Sequence, residues 1–354
     1  MDAETARLPP EQDGPAAWYG PEVLRRDDWL VRLSPAEVAE IEAATDAFVA
    51  RGTDIADMTA AAFPLPTVTA RLARAKDELL RGRGFTVLRG LPVDRWTIRQ
   101  SATAYFGLGV HIGSARSQNA KGHVLGHVKD MGLSSGDPNV RIYQTNERQT
   151  YHTDSCDVVG LLCLRTSRSG GLSTLVSSTT IFNEMRRRRP DLLALLMRPV
   201  ATDRRGEVPE GMKPYFEIPV FNWHEGHLTA IYQRQYIDSA QRFADAPRID
   251  AASREALDMF DSLANDPALN LHLEFTPGDV QLVHNHTLLH DRTGFVDWPE
   301  PERRRHLLRL WLAVPGARPL PPVFAQRYGR IDIGDRGGIV VPGTTRLHAP
   351  LEAA

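Results

Sequence analysis

The segment Tyr151-His152-Thr153-Asp154 sets an imidazole and a carboxylate two residues apart. On a strand, residues i and i+2 point to the same face, so both side chains can reach one point. With one distant histidine they make the two-histidine, one-carboxylate set that suits non-haem Fe(II). Three protein ligands then occupy one face of the metal and leave three positions open. A His-x-Asp triplet alone decides little, because such triplets arise by chance in chains of this size. The chain has 12 histidines, so a lone one means little as well. The candidates for the distant ligand cluster in residues 279–292, DVQLVHNHTLLHDR, as His284, His286 and His290. His284 and His286 fall on one face of a strand expected over 279–285 and fit a buried or supporting role. His290 lies beyond that strand, where the chain would leave the mouth of a barrel.

Residues 303–312, RRRHLLRLWL, carry a second chemical signal. Arginines within an apolar strand are unusual, because burying a guanidinium is costly without an anionic partner. Arg305, Leu307, Arg309 and Trp311 share one face. An inward arginine near a metal suits a dicarboxylate, which it can grip through paired hydrogen bonds.

Other candidates carry less. Trp223-His224-Glu225-Gly226-His227 has two residues between its histidines, whereas a helical zinc pair needs three; a hairpin turn is the expected reading. Arg186 to Arg189 end a helix before Pro190, where cations suit the helix dipole. Cys156 lies two residues past Asp154, and a structural thiol is its default role. Gln118, Asn119, Gln144 and Asn146 flank the expected mouth, where pocket lining and plain solvent exposure explain them equally well.

The elements that must position these groups follow from pattern. Hydrophobic residues are 42% and charged residues 24% of the 354, a balance that excludes global disorder and allows a sizeable core. Lys plus Arg is 42 against 44 Asp plus Glu, which leaves no basic field for nucleic acid and no polybasic membrane patch. Two cysteines, Cys156 and Cys163, exclude a disulfide framework and point to a reducing compartment. The polar N-terminus has no apolar signal core, and the longest apolar run, near 158–164, is far short of a membrane span. A cytoplasmic location is therefore expected, with a small-molecule substrate and no nucleic-acid or membrane partner; oligomeric state is left open.

Residues 1–19 read as a loose arm. Helices are expected after Ser34-Pro35, over 66–81, over 94–106 with Asp94 as cap, over 178–189 and over 251–264. Strands are expected over 84–90, 123–128, 158–164, 173–176, 215–223 with a break at Pro219, 228–232, 279–285 and 306–313. They do not alternate strictly with helices, which argues against a doubly wound parallel sheet. The expected fold is mainly β with flanking helices, built on a barrel or double-sheet jelly roll. The expected plan is the arm, then one domain over 20–315 with a helical part to about 80 and a jelly-roll core after it, then a packed tail over 316–354.

Four segments taken together resemble one family: Tyr151-His152-Thr153-Asp154, Ser169-Gly170-Gly171-Leu172-Ser173, Asn285 through His290, and Arg305 with Arg309. The chain resembles the taurine dioxygenase and clavaminate synthase-like superfamily of Fe(II)- and 2-oxoglutarate-dependent oxygenases, over roughly residues 80–315 and with the segments in the family's order. The resemblance implies a double-stranded β-helix core. It implies His152, Asp154 and His290 as catalytic metal ligands, with Asn285 five residues before the last of them. It implies Arg305 on the far carboxylate of 2-oxoglutarate, Ser173 where the family often has a threonine that also contacts it, and Arg309 as a second arginine near cosubstrate or substrate. Its cofactors would be Fe(II), 2-oxoglutarate and O2, and its products a hydroxylated small molecule, succinate and CO2. Halogenating members lack the carboxylate ligand; Asp154 fills that position, so oxygenation is expected. Two other readings fit the same residues: a jelly roll that binds a small molecule without catalysis, and a zinc hydrolase on the same ligands.

Overall fold

The protein, as a computed structural model, is described over residues 8–134, 140–344 and 346–353. The strands that frame the site begin with β1 (Leu30–Arg32), β2 (Phe85–Arg89), β3 (Ser114–Ala115), β4 (Gly126–Val128), β5 (Gln149–His152) and β6 (Val158–Arg165). They continue with β7 (Ser173–Ser177), β8 (Leu271–Leu273), β9 (Val280–His284), β10 (Leu288–Arg292) and β11 (His306–Ala313). One sheet has the order β1-β2-β9-β6-β11, with β3 and β4 both on the free edge of β11. The other has the order β8-β7-β10-β5.

Side-chain parity on β11 tells the two faces of the larger sheet apart. Leu308, Leu310 and Leu312 pack with Leu88, Leu162 and Val280 into a core shared with helices. Trp311 turns the other way and packs with Phe85 and Val159 of its own sheet and with Leu175, Leu271 and Leu288 of the smaller one. The space between the sheets is therefore the face of β11 that carries Arg309 and Trp311.

Helices close both outer faces. On the larger sheet lie α1 (Pro35–Ala50), α2 (Val68–Arg81) and α3 (Ile98–Val110). On the smaller sheet lie α4 (Ser178–Arg188) and α5 (Ala251–Ala264), which meet Val176 and Leu289. This corrects the expectation of a mainly β chain with helices only at its flanks: the fold mixes helix and sheet. Each sheet has an apolar outer face that must be covered, and α3 is buried along 101–109 to do so. Gly107 is part of that fit, since a Cβ there would lie 2.4 Å from the Phe63 ring.

Local signals set the helix ends. Ser34 and Glu37 form a capping box at α1, with Pro35 in the first turn. Asp94 does not open α3; Thr97 does, because its side chain and that of Gln100 exchange hydrogen bonds with each other's backbone. The break expected at Pro219 separates Tyr215–Pro219, paired with Pro199–Asp203, from Phe221–His224, paired with His227–Ala230. The histidine-glutamate-glycine-histidine segment is the turn of that second hairpin. Glu225 and Gly226 take φ values of 47° and 78°, the mirror-image turn that matches strand twist.

The expected loose arm is anchored where it is described: Gln12 N donates to Asn183, Thr180 Oγ1 to the Trp18 carbonyl, and Trp18 Nε1 to the Arg83 carbonyl. The rest of that arm, residues 1–7, lies outside the described residues. From the tail, Arg336 is 1% exposed and His348 bridges His123. Among the described residues, no helix is long and apolar enough to cross a membrane.

Candidate metal centre

β5 and β10 are antiparallel neighbours, and their register sets His152 directly opposite His290. This corrects the placement of His290 beyond the strands: it sits within β10, a strand the sequence pattern did not reveal. The two rings lie 4.2 Å apart between centroids. Asp154 follows two residues after His152, just past the end of β5, and its backbone N–H donates to Asn285 Oδ1 at 3.1 Å. Its carboxylate oxygens stand 3.8 Å from His152 Nε2 and 3.7 Å from His290 Nε2. Those gaps are too long for hydrogen bonds. They are shorter than twice a metal–ligand bond of about 2.1 Å. One donor atom from each of the three residues falls within 4.8 Å of the others.

Surrounding bonds fix each group. His152 Nδ1 is 2.8 Å from the Thr150 carbonyl, which assigns it the proton and leaves Nε2 as an acceptor. Gln149 Nε2 donates to that acceptor at 2.9 Å. Trp311 Nε1 donates to Asp154 Oδ2 at 2.8 Å. Burial, and then the neighbouring His290, press the His152 imidazolium down to about 3, so this ring is neutral at ordinary pH. Burial alone would raise the Asp154 carboxyl, but Arg309 and the two histidines outweigh it and hold it below the usual carboxylate range. Two imidazoles around one anion are the donor set that a divalent cation completes. His290 Nδ1 is buried with no partner.

Inward from the triad, one cavity brings together His152, His290, Ser173, Arg305 and Arg309. Arg305 is buried, its Nη1 finds no acceptor, and only a long 3.4 Å contact joins Nη2 to the Gly171 carbonyl. Burial lowers its pKa to about 10, and the weaker pull of Cys163 and of the Asp297 carboxylate does not make up for the lost hydration. Arg304 points away from the cavity and donates to the carbonyls of Trp298 and Pro299. Ser173 donates to Gln281 Oε1 at 2.8 Å. Arg309 donates to Gln118 Oε1 at 2.7 Å and leaves Nη1 3.6 Å from Asp154.

His284 and His286 stand apart from this group. His286 Nε2 lies 2.9 Å from Asp157, and His284 Nδ1 lies 2.9 Å from Thr287 Oγ1. Of the polar residues expected near the mouth, Gln118 lines the cavity in front of Asp154, Asn119 and Gln144 line a neighbouring cleft, and Asn146 uses its backbone carbonyl to hold Phe295. Cys156 is buried and free, and Asn285 Nδ2 lies 3.0 Å from its sulfur.

Sequence reasoning missed Arg292, a second guanidinium in the inner cavity. Its position two residues after His290 on one strand was the available signal. Strand parity places Trp311 on the inner face but gives no sign of its bond to Asp154. Arg141, Tyr236 and Arg327, which line the outer cavity, carried no motif.

Residues 51–311 match the family model described as Taurine catabolism dioxygenase TauD, TfdA family. The chain is 31% identical to FR-33289 synthase of Streptomyces rubellomurinus, over 87% of this chain and 92% of that one. It is 31% identical to the taurine hydroxylase-like protein SAT17 of Stachybotrys chartarum, over 83% of this chain and 77% of that one. Among solved structures, asparagine oxygenase with Fe(II), 3-hydroxyasparagine and succinate aligns with a TM-score of 0.60 at 17% identity, over 80% of this chain and 93% of that one. The non-heme iron oxygenase OrfP with Fe and alpha-ketoglutaric acid gives 0.61 at 16% identity, over the same shares. Those two likenesses concern the fold. From the match over residues 51–311 and the relatives that span most of its length, the chain belongs to the TauD/TfdA family of Fe(II)/2-oxoglutarate-dependent dioxygenases.

Proposed function

We propose that this enzyme hydroxylates an unactivated C–H bond of a small molecule, an amino acid, a sulfonate or a natural-product intermediate, and releases succinate and CO2. The observation that carries the reading is the His152–Asp154–His290 cluster, with its 3.7 Å and 3.8 Å gaps around one point. Those three residues would hold Fe(II), and the two facing sheets would be the walls of a jelly-roll core within one oxygenase domain over 20–315. When bound, Fe(II) and 2-oxoglutarate would supply electrons that reduce O2, so that one of its oxygen atoms ends in succinate and the other in the hydroxylated substrate.

The chain's own groups do the rest. His152 and His290 give lone pairs, and Asp154 gives the charge that offsets a divalent cation. Arg305 would pair with the far carboxylate of 2-oxoglutarate through the Nη1 that has no protein partner. Ser173 would turn its proton from Gln281 toward the same carboxylate. Arg309, tied to Gln118 and facing Asp154, stands on the side where substrate would enter. Leu175, Leu288 and Trp311 line the interior between the sheets with apolar surface. That surface keeps water from the reacting atoms.

The test is anaerobic addition of Fe(II) and 2-oxoglutarate to purified protein. The weak visible band of a metal-chelated keto acid is the expected result. Absence of that band, with both ligands bound by calorimetry, would contradict the reading and favour a zinc hydrolase or a non-catalytic binder.

A further inference from the structure

The cavity in front of Asp154 continues into a second one, and Glu207, Arg327 and Ile339 line both. The second cavity holds two arginines with no direct ion pair among the described residues, although the Glu207 carboxylate attracts Arg327 from a distance. Arg327 donates from Nε to Ser155 Oγ at 2.7 Å, and its two terminal nitrogens have no acceptor among the described residues. Arg204 is 3% exposed and donates to the carbonyls of Lys213 and Gln326, while its Nη1 is buried with no partner. Both guanidiniums pack on the ring of Phe216, at 5.5 Å and 5.6 Å from its centroid.

Nearby carboxylates are already engaged. Glu207 pairs with Arg141 at 2.9 Å, and Asp203 pairs with Arg242 at 3.1 Å. The other cations on the cavity wall are neutralised: Arg336 by Asp157, Arg116 and Arg330 by Asp335. Burial, followed by repulsion from Arg327, lowers the Arg204 pKa to about 10. Two desolvated like charges on one ring are costly unless an anion joins them. A singly charged group would leave one of the two uncompensated. Two guanidinium forks offer several donors to a tetrahedral oxyanion.

We propose that Arg327 and Arg204 bind a doubly charged phosphoryl-type headgroup, a phosphate ester or a phosphonate, on the primary substrate. Ser155 follows Asp154 in the chain, so its bond to Arg327 holds the headgroup site one residue from a metal-facing carboxylate. The remainder of a small substrate then extends past His152 and Asp154, where its C–H bond would be oxidised. This assignment rests on the proposed metal centre for its catalytic meaning, while headgroup binding is measured independently of it.

The experiment titrates full-length protein, loaded anaerobically with Fe(II) and 2-oxoglutarate, with four probes at about pH 9, high enough for both the phosphate ester and the less acidic phosphonate to carry close to two charges. The probes are methylphosphonate, methyl phosphate, methanesulfonate and acetate, each followed by calorimetry. The first two should bind at least about tenfold more tightly than the last two, and Arg327→Gln should weaken them by about tenfold or more. Arg327→Lys should recover part of the loss, and Arg204→Gln should weaken the same two probes. The tighter of methylphosphonate and methyl phosphate identifies which source of the headgroup the site prefers. The keto-acid band of each variant serves as the check on its fold. Equal affinity for all four probes, or unchanged phosphonate and phosphate binding in Arg327→Gln with its band intact, would overturn the proposal. A missing band in the wild type would count against the metal centre alone.

Discussion

Asp154 and Asp157 lie three residues apart, both are largely buried, and each faces histidine and arginine, yet their surroundings differ in one respect. Asp157 is closed: His286 Nε2 at 2.9 Å and Arg336 Nε at 2.8 Å meet one oxygen, and the Val314 N–H meets the other at 2.9 Å. Asp154 is open: Trp311 is its one close side-chain donor, and His152, His290 and Arg309 stand 3.6–3.8 Å away. A buried anion whose bonds are all made by protein serves the fold. A buried anion whose neighbours stand back by the width of an ion leaves room for a cation, the role proposed for Asp154. Arginines divide the same way: the Arg336 guanidinium is paired with a carboxylate, and the Arg305 guanidinium makes no such pair among the described residues.

The largest effect expected from this contrast is on stability. Asp157→Asn leaves Arg336 buried with weakened compensation, and breaking such a pair costs about 3–5 kcal/mol. Urea unfolding of the metal-free protein should show that loss. Asp154→Ala leaves the Trp311 Nε1–H without its acceptor and should cost less, about 1–3 kcal/mol under the same conditions. Similar losses for both variants would erase the distinction.

Ligand affinity comes next. Arg305→Ala should weaken 2-oxoglutarate binding by about 3 kcal/mol or more, because it removes one partner of a buried charge pair. Fe(II) binding should change far less, and Arg304→Ala should change neither. Calorimetry with each ligand checks this, and the reverse ranking would move the anchor to Arg304.

The smallest effect concerns pH. His152 has a folded pKa of about 3, set by burial and then by His290, against about 6.5 for a free imidazole. The unfolded chain therefore binds a proton that the folded metal-free protein refuses. The stability that His152 contributes is full above about 6.5 and declines as pH falls toward the folded value. His152→Asn should flatten the acid limb of stability against pH by about one proton. An unchanged slope would place the ring in solvent.

Much of the open site was legible because its signals are short-range. The spacing of His152 and Asp154 and the parity of Arg305 and Arg309 both follow from the strand repeat. β10 was not legible, since Leu288–Arg292 mixes leucines with His290, Asp291 and Arg292 and shows no alternation. The closed network was not legible either. It joins Asp157 to His286 and to Arg336 from a Gly- and Pro-rich tail, and no local pattern encodes a pairing 179 residues apart. Arg204 and Arg327 share that difficulty, being single arginines from separate segments that meet only in the fold. The helical share was underestimated for a different reason: the outer faces of both sheets needed cover, which strand patterns alone do not announce.

The most direct test compares bound iron and succinate release in wild type, Asp154→Ala and Asp157→Asn, with 2-oxoglutarate, O2 and chloride present. The wild type should bind one iron per chain, release succinate and form no chlorinated product. Asp154→Ala should lose most iron or turnover while remaining folded, because the open carboxylate is the proposed anionic ligand. Asp157→Asn should keep iron binding in whatever fraction stays folded. Unchanged iron and turnover in Asp154→Ala, or chlorinated product from the wild type, would contradict the account.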